Sequence, residues 1–209
     1  MSPKNLLIGI DFDNTIVCYD DIFHQVALEK GLIPDDIPKN KESVRDYLRQ
    51  TDKEDIWTEM QGYVYGARMF DVPAFPGALD CIARLRKNGI PVFIISHKTR
   101  YPYKGETYDL HASAREWLEA NGLLESGPIG ISFKDVFLKE TKQEKLLQIG
   151  ACGCTHFIDD LPEFLADPAF PKNTKKLLFS PTRKESPSLN KDVMSFKSWQ
   201  EIAQFLLVQ

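Results

Sequence analysis

Two carboxylates, Asp11 and Asp13, stand two residues apart where the apolar run Leu6-Leu7-Ile8-Gly9-Ile10 ends. A second acidic pair, Asp159-Asp160, follows Phe157-Ile158 directly. Acids set this close to apolar segments are costly unless a cation or a reacting group compensates them. Two further polar features fall between the pairs. Ser96 ends the run Val92-Phe93-Ile94-Ile95, and the lysines Lys139, Lys142 and Lys145 precede the second acidic pair. The plain alternative is a strand running into an Asp-rich turn.

The elements that must position these residues follow from the hydrophobic pattern. A continuous apolar run reads as a strand buried on both faces, so Leu6–Ile10 is a parallel strand with Asp11 and Asp13 at its carboxyl end, where open α/β sheets place ligands. Pro76-Gly77 opens a helix with Leu79, Ile82 and Leu85 at helical spacing, and Asn88-Gly89 stops it. Val92–Ile95 is the next buried strand, and Ala112 to Asn121 the next helix. Gly130–Phe133 reads as a weaker strand, Gln143 to Ile149 as a short helix and Phe157-Ile158 as a short strand. Lys176–Phe179 is a fifth strand, and Ser198 to Val208 a closing helix. Such alternation predicts an α/β fold, a Rossmann-like parallel sheet with helices on both faces. The stretch 18–72 interrupts it. It is too long for a connecting loop and carries helical signals at Ile22 to Lys30, Ser43 to Arg49 and Lys53 to Tyr65. It is read as a small α-helical cap over the strand ends, leaving 1–17 and 73–209 as the core. Trp57, Met60 and Tyr65 are expected to form the cap's core and docking face.

Asp11-Phe12-Asp13-Asn14-Thr15 resembles the Asp-x-Asp-x-Thr first motif of the haloacid dehalogenase superfamily, in its phosphatase branch. That resemblance implies a haloacid dehalogenase-like core, Asp11 as a nucleophile forming an aspartyl phosphate, Asp13 as general acid and base, and Mg²⁺ as cofactor. The chemistry suits the residues. A carboxylate can act as a covalent nucleophile toward phosphorus, a second carboxyl can move the protons, and Mg²⁺ prefers hard oxygen ligands. Ser96 is similar to the second motif. The third is a lysine near the start of a helix; Lys142 is preferred because Thr141 reads as an N-cap, with Lys139 as the other choice. Asp159-Asp160 resembles the fourth motif. The resemblance implies Asp160 as the direct metal ligand beside Asp11 and Asp13, Asp159 as an alternate ligand, and Glu163 on a metal-bound water. Phe12 and Thr15 within the first motif are expected to bind substrate. The cation- and aromatic-rich segment from His97 to Lys104, with Lys98 and Arg100, is read as a loop that selects the substrate. A second Asp argues against carbon–halogen cleavage, because dehalogenase members typically lack it.

Composition sets the remaining bounds. With 209 residues the chain can bury one sizeable core plus an insertion, and 43% hydrophobic and 27% charged residues are ordinary for a globular protein. A formal charge of -4 gives no general attraction to nucleic acid or to an anionic membrane. No run approaches a membrane span, and Met1–Asn5 carries no signal-peptide core, so a cytoplasmic location is expected. Cys18, Cys81, Cys152 and Cys154 do not make a disulfide framework. The segment from Ser180 to Asn190 reads as a surface loop. The expected activity is Mg²⁺-dependent hydrolysis of a small phosphomonoester. A phosphotransferase or mutase, or a non-catalytic protein that binds a phosphorylated ligand, would use the same residues.

Overall fold

The apolar run before Asp11 forms β1 (Ile8–Ile10), buried at all its positions. In the computed structural model, which describes residues 6–182 and 192–208, β1 lies at the centre of a six-stranded sheet of order β3-β2-β1-β4-β5-β6. Its partners are β2 (Val92–His97), β3 (Val136–Lys139), β4 (His156–Asp159), β5 (Lys175–Phe179) and β6 (Val193–Phe196). Every pairing is parallel. Ile10 pairs with Ile94 on one side and Ile158 on the other. Asp11 and Asp159, just after Ile10 and Ile158, and Ser96, two residues after Ile94, therefore come out at the same edge of the sheet. The chain runs from β1 to β2 and β3 on one side, then crosses to β4, β5 and β6 on the other, so the strand order reverses at β1, the arrangement that opens a crevice in such sheets.

Helices cover both faces. On one side α4 (Ala78–Lys87), α5 (Leu110–Ala120) and α8 (Trp199–Leu207) join Ile8, Ile10, Ile94 and Ile158 in a single apolar cluster. On the other, α6 (Lys142–Ala151) and α7 (Pro162–Leu165) cover Ile95, Phe157 and Leu178. The segment 18–72 contains α1 (Asp20–Glu29), α2 (Lys41–Gln50) and α3 (Glu54–Tyr65). Their buried residues, among them Phe23, Trp57 and Met60, are continuous with the first cluster.

Two strands differ from the sequence reading, and both lie at the sheet edges. Gly130–Phe133 is not a strand: Ile131 makes only an isolated bridge to Leu124, and Phe133–Asp135 is a single 3₁₀ turn. The strand beside β2 is Val136–Lys139, whose alternating burial lacks the continuous apolar signature of the central strands. A sixth strand, β6, is half-exposed and was not expected from its pattern. The four cysteines are free thiols, and burial pushes those of Cys81 and Cys154 up to about 12. Among the described residues, no helix is long and apolar enough to cross a membrane. The expectations for Met1–Asn5 and for 183–190 of the surface loop lie outside the described residues.

Candidate active site

The turn after β1 is held from both sides. Asn14 takes a left-handed φ of 55°, a conformation asparagine tolerates better than most residues. The N–H groups of Ile16 and Val17 both donate to the Phe12 carbonyl. Trp199 Nε1 donates to the Thr15 carbonyl at 3.0 Å. This fixes Asp11 and Asp13 on adjacent sides of one small turn.

Asp11 is 4% exposed. Its Oδ1 accepts from Lys145 Nζ at 2.6 Å, while among the described residues Oδ2 has only the Thr15 hydroxyl at 3.4 Å. Burial raises its carboxyl to about 7; Lys145 opposes the rise, and the nearby Asp159 and Asp13 add to it. Asp159, wholly buried, accepts the same ammonium at 2.6 Å and the Leu161 N–H at 2.9 Å. Burial works against the charge on Lys145, but Asp11 and Asp159 more than offset it, and the net shift is upward. The Asp160 carboxyl is pushed well above its ordinary value by burial, with Asp159 and Asp11 adding repulsion. Ser96 is buried, and its hydroxyl oxygen has no partner among the described residues.

The structure brings Lys145, not the preferred Lys142, to the acids. Thr141 does cap α6: it forms a capping box with Glu144, and Lys142 is the first helical residue. Yet Lys142 is exposed and pairs with Asp167 at 3.2 Å. Lys145, one turn inside, holds the acids. Helical side chains lean toward the N-terminus, so the spot at the start of a helix is covered by a residue further along it. Lys145 also shares the buried face with Leu146 and Ile149, a charge within an apolar stripe that was a readable signal. Lys139 ends β3, and its ammonium lies 5.7 Å from the Phe137 ring.

Asp13 is held more firmly than its sequence suggests. Lys98 Nζ donates to its two oxygens at 3.0 and 2.9 Å, and the Tyr19 hydroxyl donates to Oδ1 at 2.6 Å. Burial, then the charge of Asp13, pushes the Tyr19 hydroxyl well above its usual range, so it remains a neutral donor. Tyr19 was missed by sequence reasoning. So was Lys41, the first residue of α2, whose ammonium donates to the Tyr65 hydroxyl at 2.8 Å. Burial works to lower the Lys41 pKa, but Tyr65, Asp13 and Asp160 raise it above its ordinary value.

Of the residues expected to bind substrate, Thr15 and Lys98 are brought to the acids. Phe12 is not available: it is fully buried with its ring edge-on to Trp117, centroids 5.5 Å apart. His97 and Arg100 are also committed elsewhere. His97 Nε2 lies 3.1 Å from the Glu140 carbonyl, and Arg100 Nε donates to Asp109 at 3.1 Å. The loop after β2 instead docks on α3. Pro102 lies over Gly62 and Tyr108 over Gly66, and Lys104 pairs with Asp55. A Cβ on Gly62 would stand 2.6 Å from Pro102 Cβ, too close without movement. We therefore expect Gly62→Val to lower stability by about 1–3 kcal/mol, the usual cost of overpacking, as read by urea denaturation. Arg100→Ala, which removes only an exposed pair, is expected to change turnover by less than about twofold.

Among the described residues, no three acidic, imidazole or thiol side chains form a ready metal cluster. The donor chemistry of the acids suits a hard cation. Lys145 is shared by Asp11 and Asp159, and the repulsion left over falls on Asp11 and Asp160. A hard cation against those two carboxylates would relieve it.

No protein-family model matches the chain, and no curated protein matches it in sequence. Solved structures do match in fold. A HAD family hydrolase from Deinococcus radiodurans R1, solved with bound phosphate and sodium, is 20% identical and superposes with a TM-score of 0.58, over 100% of this chain and 97% of that one. A predicted phosphoglycolate phosphatase from Haemophilus somnus 129PT is 14% identical, with a TM-score of 0.57 over 98% of each chain. A protein described as a dehalogenase is 11% identical, with a TM-score of 0.60 over 100% of each chain. The chain has the fold of the haloacid dehalogenase superfamily hydrolases. At these identities the likeness establishes the fold alone.

Proposed function

We propose that this protein is a Mg²⁺-dependent phosphohydrolase of the haloacid dehalogenase superfamily, acting on a small phosphomonoester through an aspartyl phosphate on Asp11. The observation that carries the reading is the pairing at Asp11. One oxygen is fixed by Lys145, and the other is nearly free, 3.4 Å from its only partner among the described residues. Oδ2 is then the attacking atom. It forms a bond to phosphorus as the ester P–O bond breaks. Lys145 and the unpartnered Ser96 hydroxyl are placed to hold phosphoryl oxygens as charge shifts onto them. Asp13, as general acid, gives a proton to the departing oxygen. It then takes a proton from the water that attacks phosphorus and restores the Asp11 carboxylate. Tyr19 and Lys98 keep Asp13 in one orientation throughout. Mg²⁺ bound at Asp11, Asp160 and the Asp13 carbonyl would neutralise the charge of the arriving phosphate. The helices of 18–72 act as a cap that keeps bulk water from the reacting group.

The second acid favours this reading over carbon–halogen hydrolysis, although dehalogenases share the fold. The deciding experiment incubates the protein with an aryl phosphate and, separately, with 2-chloropropionate, each with Mg²⁺ or with a chelator. Phosphate release that needs Mg²⁺ is expected. Chloride release without phosphate release would overturn the proposal. The two acids of the second pair should also separate. Asp159 is already held by Lys145 and the Leu161 N–H, so Asp160 is the one available to metal. Asp160→Ala is expected to raise the Mg²⁺ concentration for half-maximal activity at least tenfold, consistent with the loss of one of few ligands, and by more than Asp159→Ala does. A Mg²⁺ titration of both variants checks the order.

A further inference from the structure

We propose that Lys41 is a specificity-determining residue that donates to an oxygen of the substrate's leaving group, and that this group is hydroxylated and uncharged. The inference rests on the phosphohydrolase reading and narrows its substrate class. A cleft of about 610 Å³ opens beside Asp160, between the first turns of α2 and the segments that follow β4 and β5. It has room for a sugar- or polyol-sized group. The loop from His97 to Lys104, docked on α3, does not contribute to its walls.

Lys41 lines this cleft. Its ammonium lies within 5.4 to 5.7 Å of the Tyr19, Phe23 and Tyr65 rings, which hold it in place. Its one hydrogen-bond partner among the described residues is the Tyr65 hydroxyl. An ammonium has three N–H donors, so two remain for an acceptor in the cleft. Tyr65 also stacks against Lys98, 4.5 Å from its ammonium, and Lys98 holds Asp13. Lys41 is thus linked through two side chains, Tyr65 and Lys98, to Asp13, the group that protonates the leaving oxygen.

The charge around Lys41 selects against a second anion. Leaving Asp160 to the reacting centre, the described wall carries Asp20, Glu42, Asp46 and Glu163. Its other cation, Arg45, is already paired with Asp46 at 2.8 Å. A carboxylate on the leaving group would meet net negative charge, whereas hydroxyls would find acceptors in those acids and in Asn14, Asn40 and Ser43. Phe75, edge-on to Phe179 at 4.8 Å, offers an apolar face on the same wall.

The test uses sorbitol 6-phosphate and 6-phosphogluconate, which share a skeleton and differ in a terminal hydroxymethyl against a carboxylate. Calorimetric binding to Asp11→Asn with Mg²⁺ reads affinity apart from turnover, and kcat/KM of the unmodified protein reads it where that variant is unstable. The polyol ester is expected to bind at least about tenfold more tightly. Lys41→Met should lower kcat/KM for the polyol ester about tenfold or more, and much less for an aryl phosphate; Lys41→Arg should recover part of the loss. Freeing Arg45 with Asp46→Ala should narrow the gap between the esters. Tighter binding of the carboxylate ester, no binding of the polyol ester, or equal losses on polyol and aryl substrates in Lys41→Met would overturn the inference. Binding of the polyol ester without its hydrolysis by the unmodified protein would instead count against the phosphohydrolase reading alone.

Discussion

Asp11→Asn is expected to reduce phosphate release at least about a thousandfold while the protein remains folded, because removing a covalent nucleophile removes the pathway rather than weakening it. An amide has nearly the shape of the carboxylate, and Lys145 keeps its partner Asp159. Its nitrogen and oxygen cannot form the acyl phosphate. Thermal unfolding and turnover should be measured on the same preparation. Turnover above a few per cent in a folded Asp11→Asn would remove the covalent mechanism.

Lys145→Ala carries the second large effect, and it should be seen in two readouts. The ammonium is 3% exposed in its side chain and bonded to two carboxylates at 2.6 Å. Its loss leaves Asp11 and Asp159 buried without their shared cation, a change that costs about 3–5 kcal/mol. In the transition state the same cation faces the phosphoryl group, and loss of such a donor is worth ~10²–10³ in rate. Lys142→Ala removes only a surface pair with Asp167 and should change either readout little. Denaturation curves and kcat for both variants decide it. A larger rate loss in Lys142→Ala would return the role to the helix's first residue.

The same comparison shows where sequence pattern carries structural information. The central strands β1, β2 and β4 are continuous apolar runs, and their ends, with Asp11, Ser96 and Asp159, were legible for that reason. The edge strands β3 and β6 have one side half-exposed, so their residues are mixed and their pattern faint. The three helices of 18–72 were legible from periodicity to within about two residues. Lys145 was signalled by its place in the apolar stripe of α6, but capping signals, which place the start of a helix and not the reach of its side chains, pointed to Lys142. Tyr19 and Lys41 stand at the starts of α1 and α2 and come near the acids only through tertiary packing. The loop after Ser96 shows the converse. Its cations and aromatics have the composition of a binding segment, yet they are spent on α3: Lys104 on Asp55, Tyr108 over Gly66, Pro102 over Gly62.

The most direct test of the central claim is to trap the phosphorylated residue. The protein is mixed with an aryl phosphate and Mg²⁺, quenched in acid during turnover, and reduced with borohydride, which converts an acyl phosphate to the alcohol. Peptide mass analysis then locates the reduced side chain. The mechanism predicts reduction at Asp11, absent when substrate is omitted. Phosphate release with no reduced carboxyl, or with reduction at Asp13, Asp159 or Asp160 in place of Asp11, would contradict it.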